Sequence, residues 1–109
     1  MENNINLFLN DVSNENIDDL ILQLKLYISE DAVLLKRKHI IKILNDRLNN
    51  KISEKTLRKW ASEIEFLDFI DYEEEYNNLI ANTIFEIATP EINSELTSNF
   101  LRKIIAQLG

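Results

Sequence analysis

The sequence contains no cysteine, and only one glycine and one proline among 109 residues. Without thiols, disulfide scaffolds, zinc ribbons and cysteine catalysis are excluded. Sheet proteins spend glycine, proline and Asn-Gly pairs on their turns, whereas helical bundles need few, so their scarcity points to helices. The lone Gly109 leaves no glycine for a phosphate-cradling loop or a calcium loop. A single histidine cannot furnish the paired Glu-x-x-His motifs of a di-iron bundle. No apolar run approaches the roughly 18 residues of a membrane span, and Met1-Glu2-Asn3-Asn4 is polar and acidic rather than a secretory leader. These absences leave a cytoplasmic, non-catalytic chain without metal or cofactor as the expectation.

Hydrophobic residues make up 45% and charged residues 28%, ordinary for one globular domain covering 1–109. Asn16 is placed to cap a helix carrying Ile17, Leu20, Ile21, Leu24 and Ile28 at helical spacing. Ser29 is placed to cap a second, with Leu34, Ile41, Leu44 and Leu48 on one face, Ile40 and Ile43 widening it, and Asn49-Asn50 as its stop. Ser53 opens a third, in which Leu57, Trp60, Ala61, Ile64 and Leu67 form the clearest amphipathic stripe and Trp60 reads as core. After a connector from Asp68 to Tyr72, Asp71 and Glu74 resemble an acidic capping box. The helix they would open has Tyr76, Leu79, Ile80, Thr83, Ile84 and Ile87 inward and is halted by Pro90. Thr97 caps a last helix with Leu101, Ile104, Ile105 and Leu108 inward. The expected fold is all-α, a compact antiparallel bundle of about five helices. Ile5 to Leu9 fits either a short packed helix or a dimer contact.

The net charge of −7 is unevenly spread. Met1 to Lys59 carries ten Lys/Arg against nine Asp/Glu, while Trp60 to Leu101 holds ten acids and no base. Seven of those ten, Glu63, Glu65, Asp68, Asp71, Glu73, Glu74 and Glu75, crowd into thirteen residues beside Tyr72 and Tyr76. Acids at 71–75 favour the positive end of a helix dipole, but Glu63, Glu65 and Asp68 lie near the end of the preceding helix, where the dipole opposes them. These seven acids with Tyr72 and Tyr76 form the candidate partner-binding surface, steering a basic partner and offering it aromatic anchors. The plainer alternatives are a solvated acidic face and, for Tyr76, a core position. His39, set among Lys36, Arg37, Lys38 and Lys42, is expected to be neutral and exposed, without a role.

Those cations, with Arg47, Lys51, Lys55, Arg58 and Lys59, carry the rival reading. A helix, a turn and a second helix starting at Glu54 have the outline of a helix-turn-helix reading DNA through the Lys36 to Lys59 face. The joint is longer than the usual three- or four-residue turn, lacks glycine, and the neighbouring acids would repel phosphate.

A further pattern runs through Ile52-Ser53, Leu57, Trp60-Ala61, the acidic connector, Leu79-Ile80-Ala81-Asn82-Thr83-Ile84-Phe85-Glu86, Pro90-Glu91-Ile92, Leu96-Thr97, Leu101 and Ile104-Ile105. This resembles small all-helical immunity proteins of bacterial contact-dependent growth inhibition and related polymorphic toxin systems. It covers roughly the last sixty residues and carries no family binding residues across. The resemblance implies a cytoplasmic protein that binds and neutralises the toxic C-terminal domain, often a nuclease, of a cognate effector. The expected partner is therefore a basic toxin domain, blocked at its active site or beside it, with nucleic acid and membrane not expected and a monomer expected for the free chain. An ordinary cellular protein as partner of a helical scaffold remains the third reading.

Overall fold

Apolar residues recurring every three to four positions wind most of the chain into helices, and their stripes converge on one core. The computed structural model describes residues 2–26, 31–89 and 95–109. Along them run α1 (Glu2–Asn10), α2 (Ile17–Lys25), β1 (Val33–Leu35), α3 (Arg37–Leu48), α4 (Glu54–Phe66), β2 (Ile70–Tyr72), a 3-10 turn (Glu74–Tyr76), α5 (Asn77–Ala88) and α6 (Ser98–Leu108). The chain is thus mostly helical but not all-α: among the described residues six α-helices accompany a small parallel strand pair. The expectations at Ile28, Ser29, Pro90 and Glu91-Ile92 lie outside the described residues.

One hydrophobic cluster draws on all six helices. Ile5, Phe8 and Leu9 are buried in it, so Ile5 to Leu9 lies in a packed helix, with Leu7 left 41% exposed. Trp60 sits at the centre, fully buried, its ring stacked 6.1 Å from that of Phe8 and its indole N–H donating to the Phe8 carbonyl at 2.7 Å. A buried indole needs such a partner, and here the hydrogen bond fastens α1 to α4. The Cα radius of gyration is 13.1 Å, as expected for a single globule of about this length.

Several ends form as their residue types dictate. The Ser53 hydroxyl accepts from the Thr56 N–H at 3.1 Å and the Thr97 hydroxyl from the Phe100 N–H at 3.1 Å. Helix α3 closes with Asn50 at φ 59°, the left-handed position usually given to glycine. There the Asn50 N–H donates to the Arg47 carbonyl and the Lys51 N–H to that of Asp46, which satisfies two orphaned acceptors. Asn16 departs from expectation: it precedes α2, but its side chain accepts from the Ser13 N–H rather than from the helix.

Three expectations are overturned. The expected second helix does not include Leu34: Val33–Leu35 is a strand, Leu34 is 43% exposed instead of core, and α3 starts at Arg37. Asp71 and Glu74 form no capping box, because Asp71 lies within β2 and α5 starts only at Asn77. Both corrections have one cause. A short apolar run reads equally as helix or strand, and the pairing of Val33, Leu34 and Leu35 with Ile70, Asp71 and Tyr72 decides it. Parallel strands need a long crossover, supplied here by α3 and α4.

The third correction is His39, which is buried and has a role. Its Nδ1 accepts from the Lys36 backbone N–H at 2.9 Å, the part a glutamate plays in a capping box. Burial, reinforced by Lys38 and Lys36 and opposed by Glu73, holds its pKa below the ordinary value, so the ring is neutral as the cap requires. Because the unfolded chain protonates first, stability falls as the pH drops below about 6.5. Urea midpoints measured at pH 8 and pH 5.5 should show that fall in the native chain, and much less of it in His39→Gln, whose amide oxygen accepts without titrating. Replacing Trp60 by Phe should cost about 1–3 kcal/mol in urea melts followed by circular dichroism, since the buried Phe8 carbonyl loses its donor.

Candidate functional site

The seven carboxylates crowded between Glu63 and Glu75 have three different surroundings. Glu65, Asp68, Asp71, Glu74 and Glu75 are exposed, and none forms an ion pair with a described cation. They run from the last turn of α4, through the connector and β2, into the 3-10 turn. Tyr72, half-buried at the end of β2, belongs with them: burial raises its phenol pKa and the neighbouring Glu65 carboxylate raises it further.

Glu73 is built into the fold. Its backbone N–H extends the strand pairing by donating to the Leu35 carbonyl at 3.1 Å. Its Oε1 accepts from the Arg37 backbone N–H at 2.7 Å and from Arg37 Nε at 3.3 Å. Arg37 opens α3, so this carboxylate answers an orphaned amide at the positive end of the helix. The amide hydrogen bond, assisted by the guanidinium, holds the Glu73 carboxyl below the usual carboxylate range. Arg37 also donates to the Leu108 carbonyl at 3.2 Å, and its guanidinium lies 3.6 Å from the centre of the Tyr76 ring. Tyr76 is thereby held half-buried against the core and under a cation, so its ring is already engaged within the fold.

Glu63 is the other exception. Residues two apart on an α-helix point about 200° apart around the axis, so Glu63 and Glu65 face different sides of α4. Glu63 is only 8% exposed, and its Oε2 is buried with no hydrogen-bond partner. It lines a groove of about 740 Å³ beside α2 and α4, whose walls include Ile21, Phe66 and Ala88 and whose rim includes Asp18, Lys59, Glu54 and Arg58. Burial raises its pKa, and Lys25 pulls it partly back.

The structure therefore keeps Glu65, Asp68, Asp71, Glu74 and Glu75 exposed along one stretch of chain, with Tyr72 half-buried among them. It removes Glu73 and Tyr76 to structural contacts and sets Glu63 in a separate groove. Nothing in the sequence marks Glu73 apart from its two neighbours; the Arg37 contact spans 36 residues.

The basic face of the rival reading is partly neutralised within the fold. Arg37 is bound to Glu73, Lys42 to Asp46 at 2.7 Å, Arg58 to Glu54 at 3.3 Å and to the Ile87 carbonyl at 2.9 Å, and Lys59 to Asp18 at 2.7 Å. Among the described residues, no group of three or more His, Asp or Glu is placed to hold a metal ion, and no helix is long and apolar enough to cross a membrane.

The division of roles among neighbouring acids is directly measurable. Glu73→Gln should lower the thermal midpoint at pH 7, whereas Glu74→Gln and Glu75→Gln should leave it nearly unchanged. Because the folded-state pKa of Glu73 is depressed, its contribution is present above the unfolded value near 4.3 and is lost as the pH falls through the folded one. The gap between wild type and Glu73→Gln should accordingly close in strong acid, which melts at pH 7 and pH 2.5 would reveal.

The residues that carry the resemblance to immunity proteins are mainly core positions, Leu57, Trp60, Ala61, Ile80, Ile84, Leu101 and Ile104 among them. No protein-family model, curated protein or solved structure matches this chain.

Proposed function

We propose that this chain is an immunity protein that neutralises the toxic, basic C-terminal domain of a cognate bacterial effector, acting in the cytoplasm by binding rather than by catalysis. The observation that carries the proposal is the stretch Glu65, Asp68, Asp71, Glu74 and Glu75, exposed beside Tyr72 and without an ion-pair partner among the described residues. Like charges crowded into one short exposed stretch repel one another, and their electrostatic use is to attract an opposite surface. A nuclease domain carries such a surface because it must grip phosphate, so an acidic edge competes for the same ground. Charge complementarity of this kind raises association toward about 10⁸–10⁹ M⁻¹s⁻¹ at low salt and weakens as salt is added. Tyr72 adds an amphipathic ring within the charged rim. The resemblance noted in the last sixty residues supports the same class of partner.

The helix-turn-helix alternative has less in its favour, since Arg37, Lys42, Arg58 and Lys59 are already engaged by carboxylates of the same chain. Duplex DNA of random sequence at 150 mM salt should leave fluorescence anisotropy unchanged, and binding there would favour the alternative instead.

The decisive experiment pairs the chain with the C-terminal domain of the effector encoded beside it. Co-expression should restore growth to cells producing that domain. The triple reversal Asp68→Lys, Asp71→Lys and Glu74→Lys should slow association about tenfold or more at low salt, with little change at high salt and an unchanged thermal midpoint. Full protection by the reversed variant, or none by the native chain, would refute the proposal.

A further inference from the structure

We propose that two copies of this chain join edge to edge through β1, antiparallel across a two-fold axis, so that their strand pairs merge into one sheet in the order β2-β1-β1-β2. Such a dimer stands in place of the monomer expected from the sequence, and it holds or fails independently of what the acidic stretch binds.

The backbone of β1 is only half used. A planar trans peptide turns its carbonyl and its N–H to opposite sides, so alternate residues of a strand serve alternate edges. Pairing with β2 takes up Val33 and Leu35: the Val33 N–H donates to the Phe69 carbonyl at 2.8 Å, and the Leu35 carbonyl accepts from the Glu73 N–H at 3.1 Å. The Ala32 carbonyl and both backbone groups of Leu34 therefore point away from β2. Ala32 and Leu34 are exposed, and among the described residues neither makes a hydrogen bond outside the strand pair. Further along, the edge is closed, since the Lys36 N–H donates to His39 Nδ1. Natural edges are blunted by proline, by charge or by a covering element, whereas this one carries an alanine and an exposed leucine.

A second copy answers this edge group for group. With Val33 facing its own counterpart across the axis, each Leu34 N–H meets the Ala32 carbonyl of the other copy, and each Leu34 carbonyl meets the other's Ala32 N–H. The side chains match in the same register, because Leu34 stands opposite the small Ala32 on the exposed face of the sheet. The flanks match as well. Exposed Asp31 precedes the strand and exposed Lys36 and Lys38 follow it, so antiparallel pairing brings the acidic end of one copy to the basic end of the other. The outer edge of β2 offers no such match: α5 packs against that strand, and self-pairing there would bring Asp68, Asp71, Glu74 and Glu75 of both copies together. In the β1 dimer the two β2 strands lie three strand spacings apart, about 14 Å, beyond the screening length of about 8 Å at physiological salt. Asp71 then stays on an outer strand, away from the contact between copies.

The test uses the intact chain. Sedimentation equilibrium should show the mass rising from one chain to two between about 1 µM and about 1 mM, the range of a small contact. In an equal mixture of ¹³C-labelled and unlabelled chain, an isotope-filtered experiment should give an Hα–Hα contact between Val33 and Val33 of the other copy, as an antiparallel pair without hydrogen bonds requires. Leu34→Pro removes the outward N–H and no bond to β2, while Leu34→Lys keeps the backbone and sets like charges near each other across the axis. Each should weaken self-association about tenfold or more with helical circular dichroism retained, and Leu22→Lys, which changes an exposed leucine of α2, should not. The mass of a single chain at every concentration would overturn the proposal, as would a dimer that ignores both Leu34 variants or lacks the Val33 contact. Protection of the Ala32 and Leu34 amides that appears only when a different protein is added, to a chain that stays monomeric, would also overturn it and give the edge to that protein's strand.

Discussion

The parallel pairing of Val33–Leu35 with Ile70–Tyr72 is the contact on which the arrangement of charge depends. Three residues on each side contribute few hydrogen bonds, and an isolated pair of this size would not persist in water. It persists because Leu35 is fully buried in the common core and because Val33, Ile70 and Tyr72 pack against it. Joining the strands in parallel obliges the chain to travel out through α3 and back through α4. That path delivers the acidic connector to the start of α3 and hands Glu73 to the amide and guanidinium of Arg37.

Arg37 is the point where this path is secured. It holds Glu73 from the end of β2, the ring of Tyr76 from the 3-10 turn and the Leu108 carbonyl from α6. The ion pair alone, partly exposed on both sides, would contribute little. Its importance lies in joining three elements distant in sequence at the N-terminus of a fourth. His39 completes the same corner from within α3 by accepting the Lys36 N–H, so the helix start is satisfied by a ring nitrogen on one side and a carboxylate on the other.

Partition of the acids follows from this frame. A run of seven carboxylates looks uniform when only its net charge is counted, yet each residue's chemistry depends on what faces it. Glu73 gains a cation and an amide, Glu63 gains burial without a partner, and the remaining five face solvent. Glu63 and the exposed stretch from Glu65 to Glu75 thus differ in how each feels solvent and salt.

By itself the sequence determined what depends on neighbours within a few residues. The helical stripes of α2, α4, α5 and α6, the caps at Ser53 and Thr97, the stop at Asn49-Asn50 and the central place of Trp60 all follow from local periodicity and local hydrogen bonding. The acid-rich, base-free stretch from Trp60 to Leu101 was equally legible, because counting needs no coordinates. Tertiary structure alone decided that Val33–Leu35 is a strand, that His39 is a buried cap, and that Glu73 and Tyr76 serve the fold rather than its surface. Each of those outcomes rests on a long-range contact or on burial; the hydrogen-bond partner of His39 is three residues away, but its pKa is lowered chiefly by burial. Helix spacing is a property of short segments, whereas strand pairing and the desolvation of a charge are properties of the whole packed chain.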